Sequence, residues 1–290
     1  MTRIVTSLAE VAGGYDAAFV DLWGCVHDGV RAFPAAVAAL RGFRAGGGRV
    51  VLVTNAPRAW RVIRDQLPRL QVPDDAWDAI ATSGDAARMA MFEGAVGRRV
   101  HVMGGAHDLD FFEPPRVLEN PVALERVPLA EAEGIVCLGP PDPHADPGVH
   151  EADFREAVAR GLRLLCANPD IVVDRGERRE WCAGALARLY ERLGGTSLYF
   201  GKPHAPIYEL AWRRLRALGV EGARVIAVGD GVATDVAGAR GAGLDCLFVA
   251  GGLAARETGT APGGLPDQGR LDALLAAEGE APRFATGFLS

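Results

Sequence analysis

Short apolar runs alternate with longer amphipathic stretches along this chain, which is the pattern of βα units laid on a parallel sheet. The run AAFVDLW at 17–23 predicts a buried strand. A helix is expected from Pro34, with Ala35, Val37, Ala38 and Leu40 behind it and the Gly46-Gly47-Gly48 run to stop it. RVVLVTN at 49–55 predicts a second strand, followed by a helix over about 57–70. Towards the other end, TSLYFGK at 196–202 predicts a strand and 206–218 a helix. ARVIAVGD at 223–230 is a further strand, then a helix to about 242, and LDCLFVAG at 244–251 is the last strand. These pieces read as one doubly wound α/β domain with a Rossmann-like parallel sheet, interrupted in its middle.

The middle carries units of its own. RRVHVMGG at 98–105, EGIVCLG at 133–139 and LRLLCANPD at 162–170 predict strands, with a helix over about 149–160. The Pro-rich segments EPPRVLENP and GPPDPHADPG read as loops. The expected division is a discontinuous core at 1–82 and 182–290 and an inserted α/β domain at 83–181. No internal repeat or low-complexity tract interrupts it.

Composition narrows the function classes. Of 290 residues, 49% are hydrophobic, enough to build a real core and to exclude a disordered chain. A formal charge of −6 gives no electrostatic reason to expect nucleic acid or an anionic membrane as partner. Nowhere do about 18 uninterrupted apolar residues occur, and Glu10 and Asp16 break up the start before any signal-like run can form. The five cysteines, Cys25, Cys137, Cys166, Cys182 and Cys246, are scattered, with no CxxC, so neither a disulfide framework nor a zinc site is expected. The expectation is a soluble protein of the reducing cytoplasm. One further count matters: of 31 basic residues, only Lys202 is a lysine.

The core strands share polar ends. One carries Asp21 with Gly24 behind it, one ends in Thr54 and Asn55, and one in Gly229 and Asp230, while Lys202 ends a fourth. Open parallel sheets bind ligands outside the carboxyl ends of their strands. Two carboxylates, a hydroxyl, an amide and an ammonium gathered there suit a phosphoryl group held with a divalent cation. Taken singly each residue has a plainer reading: Asp230 as a helix cap, Thr54-Asn55 as a cap, Lys202 as a solvated loop lysine. Packing gives no reason for all four strand ends to be polar together. Other hydrolase signatures are absent: there is no GxxxxGK[ST], no GxSxG and no HExxH. A receiver-like phosphorylation switch shares the Asp and Lys but is about half as long.

The segments FVDLWGCVHDG (19–29), VLVTNAPR (51–58), ANPD (167–170), FGKPHAPIYELA (200–211) and VGDGVATDVAGARGAG (228–243) resemble the haloacid dehalogenase (HAD) superfamily, in particular its NagD-like subclass IIA. They stand in the family's order over nearly the whole chain. The resemblance implies a HAD-like core with a large C2-type cap and a Mg²⁺-dependent phosphohydrolase of a small phosphorylated metabolite. It makes Asp21 the nucleophile that forms an aspartyl-phosphate, Thr54 a phosphoryl ligand and Lys202 the bridge between nucleophile and phosphate. Asp21, Asp230 and the backbone carbonyl of Trp23 would hold Mg²⁺, supported by Asp235. Asn55, Trp23 and Gly24 are added as phosphate-binding positions, and Asn168 and Asp170 as substrate contacts of the cap.

One departure stands out. The family places a second Asp two residues after the nucleophile, to protonate the leaving oxygen and later activate water; here the residue is Trp23. Indole has one N–H and no group that titrates near neutrality. Three consequences remain open: His27 or Asp28 substitutes, the substrate has a good leaving group, or the protein binds a phosphorylated ligand and turns it over slowly or not at all, as a regulatory protein would. Arg175, Arg178 and Arg179 read as a solvated face or an anion patch. The sequence names no substrate and leaves the oligomeric state open, with an exposed cap face able to support a homodimer.

Overall fold

The structure, a computed structural model, describes residues 1–104, 109–175 and 178–290. The chain forms two compact units, one of residues 1–54, 63–81 and 202–290, the other of 55–62 and 82–201.

The first unit is built on a seven-stranded sheet ordered Arg3–Ile4, Phe284–Thr286, Asp245–Val249, Val225–Gly229, Ala17–Val20, Arg49–Thr54 and Ala79–Thr82. The paired strands from Arg3–Ile4 to Arg49–Thr54 run parallel. Ala17–Val20 and Val225–Gly229 are buried at every position, because helices cover both faces of such a sheet, and so they read as continuous apolar runs without alternation. The helix Pro34–Ala45 starts on a proline that needs no N–H partner and buries Ala36, Val37, Leu40 and Phe43. Fully burying a side chain such as Leu40 contributes about 1.5–3 kcal/mol. The helix Ala205–Ala217 buries Ile207, Tyr208, Leu210, Ala211 and Leu215, and the Trp212 ring meets Phe19 edge-on at 5.3 Å.

Three expectations change here. The helix foreseen over 57–70 is only Trp60–Gln66, held between Pro57 and Pro68. The run at 244–251 is not the last strand: Phe284–Thr286 and Arg3–Ile4 extend the sheet beyond it, each too short to leave a periodic signal. Ala79–Thr82 adds the opposite edge and runs straight into the helix Ser83–Phe92, so no turn residue marks it.

The second unit has a five-stranded sheet ordered Thr196–Tyr199, Arg163–Cys166, Gly134–Cys137, Arg99–Met103 and Glu125–Arg126, all parallel, and a separate antiparallel hairpin of Val172–Arg175 and Arg178–Trp181. Residue 105, the end of one predicted run, lies outside the described residues. The domain boundary expected at 181/182 is corrected by this sheet. Thr196–Tyr199, assigned from sequence to the core, pairs with Arg163–Cys166 instead. Helix Ala183–Arg192 buries Leu186, Leu189 and Tyr190 in the same cluster as Phe154, Leu162 and Leu164. Tyr190 fixes that cluster: its ring meets Phe154 edge-on at 5.2 Å, and its hydroxyl donates to the Leu162 carbonyl at 2.6 Å. Residues 182–201 therefore belong to the second unit, and the chain re-enters the first at Lys202.

Candidate active site

In the first unit, chain order runs outward in opposite directions from the adjacent strands Ala17–Val20 and Val225–Gly229, which makes them the switch point of the sheet. Loops leaving such a pair diverge and open a crevice at their carboxyl ends. Asp21 follows one strand and Asp230 the other. The Asp21 N–H still donates to the Val228 carbonyl at 2.8 Å, so its backbone is fixed by the ladder while its side chain lies past the strand end.

Lys202 ties the site together. Its Nζ donates to Asp21 Oδ1 at 2.6 Å and to Asp235 Oδ1 at 2.7 Å, with all three residues buried. Burial opposes the ammonium charge, but the carboxylates of Asp21 and Asp235 outweigh it and hold the lysine pKa well above its ordinary value. Asp235 sits in a wide turn, Val232–Val236, where the N–H groups of Asp235 and Val236 both reach the Gly231 carbonyl, at 2.8 and 3.1 Å. Turns of this π-type recur at functional sites. The other Asp235 oxygen accepts from the Gly231 N–H at 3.1 Å and the Thr234 hydroxyl at 3.2 Å. Both oxygens of Asp235 are thus engaged in holding Lys202 and its own loop.

Asp230 is packed by two glycines. A Cβ at Gly24, whose φ is +78°, would fall 2.0 Å from Asp230 Oδ2, and one at Gly252 would fall 2.1 Å from the same atom. That oxygen accepts from the Leu253 N–H at 2.9 Å. Burial, and then the charges of Asp21 and Asp235, push the Asp230 carboxyl well above the usual range. Three buried carboxylates facing one ammonium leave an excess of negative charge. The oxygen-rich donor set of Asp21 and Asp230 suits a hard divalent cation, which would balance it. Cys25, which nothing in the sequence singles out among five scattered cysteines, has its sulfur in a group with the Asp21 and Asp230 carboxylates whose donor atoms all lie within 4.8 Å of one another. Burial, and then Asp230 and Asp21, push its pKa well up, so it presents a neutral thiol. Only the turn geometry, not its spacing, could have revealed it.

Thr54 is buried two residues beyond the register pair Val20–Leu52, at the same end of the sheet. Trp23 is half-buried, with its ring edge-on to His27 at 5.5 Å and lying over Gly29, where an added Cβ would come 2.4 Å from the indole. His27 is buried and its Nδ1 accepts the Gly29 N–H at 3.1 Å; burial lowers its pKa to about 4. Asp28 Oδ1 accepts the N–H groups of Val30 and Arg31, both at 2.8 Å. Neither residue is free of the loop that Trp23 packs against.

The remaining expected site residues are in the second unit. Asn55 Nδ2 donates to Asp170 Oδ1 at 2.8 Å, and the Asp170 N–H donates to Asn168 Oδ1 at 3.0 Å, so the three form one polar cluster. Arg178 and Arg179 are exposed, and the side chain of Arg175 lies outside the described residues.

Comparison with known proteins fits this arrangement. The haloacid dehalogenase-like hydrolase profile matches residues 18–114, and a HAD-hydrolase-like profile matches 199–276, so the two take in Asp21, Thr54, Lys202, Asp230 and Asp235. A solved haloacid dehalogenase-like hydrolase from Brucella suis is 38% identical, with a TM-score of 0.84 over 99% of this chain and 100% of that one. The chain belongs to the haloacid dehalogenase-like hydrolases. It shares the HAD fold with a glycerol phosphate phosphatase from Mycobacterium tuberculosis solved with calcium, 23% identical at a TM-score of 0.61, over 84% of this chain and 68% of that one. Among curated proteins it is 24% identical to the 5'-nucleotidase YutF of Bacillus subtilis over 84% of this chain and 90% of that protein. Among the described residues no helix is long and apolar enough to cross a membrane.

Proposed function

We propose that this HAD hydrolase is a Mg²⁺-dependent phosphohydrolase of a small phosphorylated metabolite, acting through an aspartyl-phosphate on Asp21. The observation that carries the reading is the buried Asp21–Lys202–Asp235 network beside Asp230 at the switch point of the sheet. The phosphatase and nucleotidase names of the structural neighbours and of the curated relative support the same chemistry.

Asp21 is the nucleophile. Lys202 holds its Oδ1 and offers its ammonium to a phosphoryl oxygen. Asp235 positions Lys202. The Thr54 hydroxyl binds a second phosphoryl oxygen, with Gly24, Trp23 and Asn55 as further phosphate-binding positions. Asp21, Asp230 and the Trp23 carbonyl are the residues that would hold Mg²⁺, which when bound neutralises phosphate charge. Asn168 and Asp170 are the substrate-selecting positions of the second unit, which acts as the cap. Loss of a positioned general acid/base costs roughly 10²- to 10⁴-fold, so with Trp23 in its place turnover of ordinary esters is slow.

That same residue favours a second reading, a phospholigand-binding regulatory protein on this scaffold. A phosphate-release screen over sugar phosphates, nucleotides, pyridoxal phosphate, and aryl and acyl phosphates separates the two. The enzyme reading expects Mg²⁺-dependent release that Asp21→Asn abolishes. No substrate above that control, with Mg²⁺ and phosphate still bound, decides for the regulatory reading.

A further inference from the structure

The groups around Asp21 show what kind of phosphate the site can break. In-line displacement leaves an electron pair on the departing oxygen, and an alkoxide can leave only if a proton arrives with it. In the core unit the position two residues beyond Asp21 is an indole, packed over Gly29 and edge-on to His27. Among the described residues, the acids and bases nearest it along the loop have structural work: His27 Nδ1 accepts the Gly29 N–H, and Asp28 Oδ1 accepts two backbone N–H groups. Lys202 is turned to Asp21 and Asp235, on the nucleophile's side. Cys25 is buried beside the carboxylates.

We infer that the substrates of this enzyme are phosphates whose leaving group departs as a stable anion, acyl, enol or aryl phosphates, and that alkyl phosphates are poor substrates; the inference rests on the aspartyl-phosphate reading above. In the first step an Asp21 oxygen forms a bond to phosphorus, the bond from phosphorus to the leaving oxygen breaks, and a carboxylate, enolate or phenolate leaves with the electron pair and no proton. In the second, water adds to the phosphorus of the aspartyl-phosphate, the bond to Asp21 breaks, and the water proton passes to solvent. The missing side chain would also have served as base for this second step. With the best leaving groups, phosphorylation of Asp21 therefore outruns its hydrolysis and the phosphoenzyme accumulates.

The test is the dependence of kcat/KM on leaving-group acidity, measured on the full chain with Mg²⁺ for a series of substituted phenyl phosphates, acetyl phosphate and glycerol phosphate. The expected result is a steep Brønsted line, roughly tenfold lower for each unit of leaving-group pKa. Rapid mixing should show a burst of about one equivalent of phenolate, with one phosphoryl mass added at Asp21. Trp23→Asp should raise the alkyl-to-aryl ratio by roughly 10²- to 10⁴-fold; if that variant does not fold, the wild-type slope and burst decide. A shallow slope without a burst, while Asp21→Asn is inactive, overturns this inference and leaves the phosphohydrolase intact, because an acid is then supplied from elsewhere. Release by Asp21→Asn equal to the wild type fails the underlying reading instead. No release from acetyl or nitrophenyl phosphate overturns the substrate class.

Discussion

Lys202 is one lysine among 31 basic residues, and its surroundings explain the choice. A compact ammonium has three donors that can point in separate directions, and here two of them meet different carboxylates at 2.6 and 2.7 Å in a buried space. A guanidinium is longer and flat, and its donors lie in one fork. Lys202→Arg should lower phosphate binding or turnover by at least roughly tenfold, read by phosphate titration and by kcat/KM on the best substrate. Near-normal values would make the lone lysine an accident of an arginine-rich composition. Sequence pointed to the residue through its rarity and through the FGKP context. It did not point to Cys25, because an isolated cysteine in an apolar turn looks like core until the carboxylates are seen beside it.

At the scale of elements, the loop 21–29 and the loop after Gly251 are shaped to admit one carboxylate. Gly24 combines a positive φ with close approach to Asp230, whereas Gly219, at φ +80°, has nothing within 4 Å of an added Cβ. Gly219→Ala should therefore cost only backbone strain, about 1–3 kcal/mol. Gly24→Ala should cost more in urea denaturation and should also weaken Mg²⁺ binding, since Asp230 must move. Equal costs with unchanged Mg²⁺ affinity would show that Asp230 does not depend on this glycine. Strands of the core were legible because fully buried parallel strands are continuous apolar runs, as at 17–20 and 225–229. Three-residue Phe284–Thr286 and two-residue Arg3–Ile4 were not, since a run of that length has no period to detect.

For the whole molecule, the order of units along the chain was legible but one boundary was not. An apolar run such as Thr196–Tyr199 shows that it is a strand without showing which of two parallel sheets it joins; that depends on the faces of Ala183–Arg192 and Glu151–Ala159 meeting around Tyr190. Charge balance at the site has a consequence for the stability of the whole protein. Three buried carboxylates against one ammonium should leave the metal-free protein below its full stability, and Mg²⁺ should raise the melting temperature. At a hundredfold excess over Kd the gain is about 2.7 kcal/mol. Asp230→Asn should melt higher than the wild type without metal and respond little to Mg²⁺, as calorimetry with and without the ion would show. A wild-type melting temperature indifferent to Mg²⁺ would refute the cation site. The wide turn Val232–Val236 adds a constraint of another kind. Asp235 meets Lys202 only because the backbone between them and the strand has one particular count of residues. Losing one residue there would tighten the wide turn to an ordinary one and carry Asp235 out of its place beside Lys202, a displacement that no side-chain replacement nearby could undo. Along this stretch the length of the chain is held as firmly as its glycines, since an added Cβ at Gly229 or Gly231 would meet Asp235 or Thr234 at 2.1 or 2.0 Å.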